Sequence, residues 1–87
     1  MITGRQIRAA RAMLNWKQDM LADKALVALT ALKRLESERN LAVHESTRDQ
    51  VRRALEAAGV MFIESEQGMG VMLLNDTRSR RSARFRR

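Results

Sequence analysis

Six arginines stand within the last ten residues of the chain: Arg78, Arg80, Arg81, Arg84, Arg86 and Arg87. Guanidinium groups crowded in this way attract polyanions, and a row of phosphates is the natural counterpart. Residues 75–87 hold these six bases and one acid, Asp76, for a net +5. Residues 1–74 hold 11 bases and 9 acids, so most of the formal +7 lies in the tail. The tail has one aromatic residue, Phe85, and no apolar periodicity, which predicts a segment that is disordered when free. A solvated extension without a partner is the plainer alternative for the same residues.

Other chemistries lack their residues. The chain has no cysteine, which excludes a disulfide framework, a thiolate metal site and a thiol nucleophile. One histidine, His44, cannot build a histidine metal cage, and it reads as a loop residue. No nucleophile–base pair, glycine-rich phosphate loop or metal-ligand set is present, so neither an enzyme nor a metal or cofactor is expected. Aromatic residues make up 3% of the chain, too few for the stacking platforms of single-strand binders. No apolar run approaches the roughly 18 residues of a membrane span. The N-terminus lacks the apolar core of a secretion signal, so a cytoplasmic protein is expected.

Behind these residues stands a small scaffold. A length of 87 residues with 45% hydrophobic content suits one domain with a modest core. Thr3 can cap a first helix over Gly4–Leu14, in which Ile7, Ala10 and Leu14 recur at helical spacing and Asn15 ends the run. A second helix is predicted over Gln18–Ala25, burying Leu21, Ala22 and Ala25. A third is predicted over residues 28–36, burying Leu32 and Leu35, with Val27 inward in the break before it. Residues 37–45 are polar and loop-like, with Leu41 and Val43 tucked back. Ser46 and Thr47 then open a fourth helix, Thr47 with Gln50 having capping-box spacing and Gly59 its C-terminal cap. Val51, Ala54, Leu55 and Ala58 share its inner face, while Arg48, Arg52 and Arg53 read as a solvated face. Two apolar runs, 60–63 and 71–74, flank turn residues and predict a β-hairpin. Neither run alternates with polar residues, so both faces of the ribbon call for burial, and a second copy could cover the outer one. The expected architecture is mainly α: four to five helices over 1–59, a hairpin over 60–74 suited to homodimerisation, and the basic tail over 75–87.

The stretch from Gln18 to Glu36, QDMLADKALVALTALKRLE, places a small residue, Ala22, where two short helices must touch. This pattern, with IRAARAML and Trp16 before it, resembles the Cro and phage-repressor type of helix-turn-helix domain, the XRE family, over about residues 1–59. The resemblance implies that the third helix enters the DNA major groove, with Ala28, Leu29, Thr30, Lys33 and Arg34 facing the duplex. Ala28 or Leu29 would meet a thymine methyl, and Thr30 a base edge or a phosphate. Arg34 would read guanine or grip phosphate, and Lys33 would contact phosphate. Gln18 matches the position that anchors the DNA backbone, and Arg39 is a further phosphate contact. Arg11 and Glu36 match a structural ion pair. Arg78, Arg80, Arg81 and Arg84 would add contacts to the DNA backbone.

Two positions depart from the family pattern. Leu26 stands where the turn between the second and third helices usually has glycine. Either the turn is reshaped or the chain carries strain on the order of 1 kcal/mol. Lys17 stands where Ser or Thr usually caps the second helix, a loss of about 1 kcal/mol. The implied function is a homodimeric transcriptional regulator, most simply a repressor, on double-stranded DNA with an inverted repeat. It would be bacterial or phage-encoded, associated with the nucleoid when bound, and without a membrane partner. The alternative within the same resemblance is an antitoxin-type protein that neutralises a partner toxin and regulates its own operon.

Overall fold

The computed structural model describes residues 1–37 and 43–75. Four helices, α1 (Gly4–Leu14), α2 (Gln18–Ala25), α3 (Leu29–Glu36) and α4 (Glu45–Ala57), precede the antiparallel strands β1 (Val60–Glu64) and β2 (Met69–Leu73). Among the described residues there are four helices, the lower end of the expected range. None is long and apolar enough to cross a membrane.

Thr3 starts α1 with a complete capping box: its hydroxyl accepts from the Gln6 amide, and the Gln6 side chain accepts from the Thr3 amide. At the other end Asn15 takes a left-handed conformation. Two reversed bonds close the turn, from Asn15 N–H to Ala12 O and from Trp16 N–H to Arg11 O. The end of α2 repeats this closure, with bonds from Leu26 N–H to Asp23 O and from Val27 N–H to Ala22 O. Here the left-handed residue is Leu26, at φ 60° and ψ 43°. The turn is therefore not reshaped, and a non-glycine residue carries the strain.

The start of α4 differs from expectation. Its N-cap is His44, without a side-chain bond, and both Thr47 N–H and Arg48 N–H donate to the His44 carbonyl. Neither Ser46 nor Thr47 acts as the cap. Gln50 is diverted from the predicted capping box, its amide donating to the carbonyl of Ala25 at the end of α2. Gly59, at φ 104°, follows α4 as expected and swings the chain into β1.

One core joins all six elements. Ile2, Ile7, Ala10, Leu21, Ala22, Ala25, Leu32, Leu35, Val51, Leu55 and Val60 are buried together. Leu14, Trp16, Val27, Val43, Ala54, Phe62, Val71 and Leu73 pack around them, partly buried. The strands pair Val60 with Leu73 and Phe62 with Val71, so these four side chains share the inner face. β2 lies over α1 and β1 over α4. Met61, paired with Met72, and Ile63, opposite Gly70, occupy the outer face and are exposed. Gln6, 4% exposed, stitches ribbon to helix: its Nε2 donates to Ile63 O at 3.2 Å and to Gly70 O at 3.0 Å. The hairpin is thus part of the helical body rather than an appended module.

Candidate nucleic-acid interface

The amphipathic pattern of α3 sorts its residues to opposite sides. Leu32, Leu35 and Glu36 are buried, whereas Ala28, Leu29, Thr30, Lys33 and Arg34 are all exposed. Ala28 is the N-cap of α3 and has no side-chain cap bond, and the same holds for Lys17 before α2. Neither N-cap side chain bonds the first backbone N–H groups of its helix, and groups of that kind suit anionic oxygen.

Behind that face lies a polar lock. Arg11 and Glu36 form a two-pronged pair, with Nε to Oε2 and Nη2 to Oε1 both at 2.8 Å. Glu36 is only 3% exposed, so the partner cation is essential to keep its charge inside. Gln18 Nε2 donates to the same Oε1 at 3.0 Å, and Arg11 Nη1 donates to Trp16 O at 3.1 Å. Arg8 donates to the backbone carbonyl of Glu36. The lock therefore ties α1, the start of α2 and the end of α3 to one carboxylate. No buried side-chain nitrogen or oxygen among the described residues lacks a hydrogen-bond partner.

Gln18 stands at the start of α2, as expected, and its side chain also takes part in this lock. One of its two amide N–H groups points inward to Glu36, which leaves the other for any outside acceptor. Arg39, Arg78, Arg80, Arg81, Arg84 and Leu41 lie outside the described residues. Sequence reasoning missed Arg8 and Gln6. Gln6 carried a readable signal, since Thr3 and Gln6 have capping-box spacing; Arg8 carried none.

Arg34 borders two shallow grooves. One is shared with Arg5 and Arg48 between the start of α1 and the end of α3. The other is shared with Ala28, Thr30, His44 and Thr47. The helix α4 arginines are engaged along their own helix: Arg48 with Glu45 at 3.0 Å, Arg52 with Asp49 at 2.5 Å and Glu56 at 3.4 Å, and Arg53 with Asp49 at 2.9 Å. The Asp49 hydrogen bond, with Glu56 nearby, raises the pKa of the Arg52 guanidinium further above its usual value. Arg48 also donates to Ile2 O at 3.0 Å. Arg52 and Arg53 thus lie on a solvent-facing, ion-paired side of α4, whereas Arg48 is largely covered and tied to the N-terminal segment. Trp16 packs against the core, and Lys24 Nζ stands 5.1 Å from its ring centre, within cation–π range. No group of three or more His, Cys, Asp or Glu residues suited to a metal occurs among the described residues.

Comparison with protein-family models and with curated proteins gives no match to this chain.

Proposed function

We propose that this protein is a sequence-specific DNA-binding transcriptional regulator, most simply a repressor, working as two copies on an inverted repeat. The observation that carries the reading is the outer side of α3: five side chains suited to base edges, thymine methyls and phosphates, all exposed together. α2, the three-residue turn and α3 act in this reading as a helix-turn-helix, with α3 in the major groove. Thr30, Ala28 and Leu29 meet bases near its N-terminus, Arg34 reads guanine or holds phosphate, and Lys33 holds phosphate. Gln18 offers its second amide N–H to a backbone phosphate, with Glu36 fixing the orientation of the amide. The arginines of residues 75–87, with Arg39, add charge-driven affinity without sequence preference.

Such a face has to be displayed at a fixed angle, and the lock on Glu36 supplies that rigidity. Small domains hold little stability in reserve, so a buried ion pair at the back of α3 is a strong positional constraint.

The test is selection of bound sequences from random duplex DNA, followed by the same selection with Arg34→Ala. A palindromic motif is expected for the natural sequence. The variant should relax preference at one base pair in each half-site and lose roughly 1–3 kcal/mol there. Recovery of no motif, with binding that tracks only salt concentration, would overturn sequence-specific regulation and leave a general polyanion binder.

A further inference from the structure

A groove of about 460 Å³ runs between α3 and the start of α4. Four side chains bring hydrogen-bonding groups to it: Thr30 and Arg34 from α3, His44 and Thr47 from the start of α4. Thr30, Arg34 and His44 are exposed. His44 is the N-cap of α4, yet its ring makes no cap bond, and the Arg34 guanidinium has no ion pair among the described residues. Glu45, the carboxylate next in the chain, is held by Arg48 at 3.0 Å. The groove therefore presents a cation, a titratable ring and two hydroxyls, and no carboxylate lines it.

We infer, on the DNA reading above, that His44 and Thr47 hold a phosphodiester of the DNA backbone in this groove, and that His44 takes up a proton as they do so. The occupant follows from dimensions. A major groove about 12 Å wide admits one helix of about 10–12 Å diameter. With α3 inside, α4 packed beside it cannot enter as well, and the start of α4 meets the wall of the groove, which is sugar and phosphate. The proton follows from donor count. A neutral imidazole has one N–H and one acceptor nitrogen, whereas an imidazolium has two donors and a positive charge. An adjacent phosphate favours the charged form, so binding draws a proton from solution and affinity rises as pH falls. Thr47 donates its hydroxyl to the same phosphate, and Arg34 adds positive charge to the groove whichever DNA group its guanidinium bonds.

The composition makes this proton easy to assign. The chain has one histidine and no cysteine, and histidine is the side chain whose charge ordinarily changes between about pH 5 and 8. The α-ammonium of Met1, the other group of that range, stands 3.3 Å from Glu64 at the end of β1 and does not line this groove. The charged groups nearest His44 in the groove and along α4 are Arg34, which keeps its charge throughout, and Glu45, already paired with Arg48.

The experiment measures binding of the full chain to the duplex recovered by selection or, where no motif emerges, to a random-sequence duplex. At fixed salt, affinity should rise at least about fivefold per bound copy from roughly pH 8 to roughly pH 6. The slope of log K against log salt should steepen by about 0.9 per copy over the same interval, as one more phosphate is neutralised. His44→Gln should reduce the first change to below about twofold and abolish the second. His44→Arg should show the steep salt slope at both pH values. Circular dichroism and the urea midpoint check that each variant is folded. Affinity and salt slope of the natural protein that do not change with pH, or a His44→Gln variant that keeps the natural pH dependence, would overturn the site and leave a recovered motif, with the DNA reading, standing. Absence of binding to either duplex would overturn both. If His44→Gln does not fold, His44→Arg and the salt slopes of the natural protein still decide.

Discussion

Helices α1 and α2 end in the same way and begin in opposite ways. Each closes through a pair of reversed hydrogen bonds around a left-handed residue, Asn15 in one and Leu26 in the other. Asn tolerates that conformation through its short polar side chain; Leu does not. At the start, Thr3 and Gln6 cap α1 reciprocally, while Lys17 gives α2 no side-chain cap. The first helix is specified by its own residues. The α2–α3 unit is held largely from outside, by Arg11 and Arg8 of α1 acting on Glu36 and by Gln50 of α4 acting on the Ala25 carbonyl. A surface can thus be positioned firmly although its local signals are weak, provided that distant residues fix its ends.

The largest test of this contrast removes the outside support. Glu36→Gln should cost about 3–5 kcal/mol, since the guanidinium of Arg11 is left partly buried without its counterion. Urea unfolding followed by circular dichroism measures it. Replacing both partners with apolar residues, Arg11→Met with Glu36→Leu, should cost less than the single change. A loss under 1 kcal/mol for Glu36→Gln would mean that local structure alone holds α3. A smaller effect is expected where α1 approaches α3. A Cβ on Gly4 would stand 2.7 Å from Glu36 O and 2.8 Å from Leu35 O, both backbone atoms that cannot swing aside. Gly4→Ala should therefore lose about 1–3 kcal/mol in the same assay, despite the better helix propensity of alanine. The smallest effect is a gain. Leu26 is 82% exposed, so Leu26→Gly forfeits little burial while relieving strain. Part of that relief is offset by the freer unfolded chain, which leaves a net stabilisation below about 1 kcal/mol, seen as a raised urea midpoint. A lowered midpoint would show that Leu26 makes a contact its exposure does not suggest.

The same contrast explains what could be read from the residues alone. The bounds of α1 and α2 follow from apolar spacing and end residues, and both match the structure. The expected α3 gained one residue at its start, because Ala28 has no side-chain oxygen to mark the cap. The start of α4 was misplaced because Ser46, Thr47 and Gln50 form an attractive local pattern. A competing partner 25 residues away drew Gln50 off, and spacing along one helix cannot reveal such a partner. The hairpin was legible from composition, but its strands are shifted, running to Glu64 and starting at Met69, because pairing register extends past the apolar runs. The exposed side of α3 was legible because amphipathic periodicity separates Leu32 and Leu35 from Thr30 and Arg34. The inward turn of Gln18 was not, since it depends on where the Glu36 carboxylate comes to rest.

Gln6 carries a consequence for motion. The same amide that completes the cap of α1 also grips Ile63 and Gly70, one register pair of the ribbon. Fraying of the first helical turn and peeling of the ribbon therefore draw on one shared side chain, and neither can proceed far without the other. The two segments farthest apart in the described sequence should open as a single cooperative unit, with amide protons on both exchanging at a common rate.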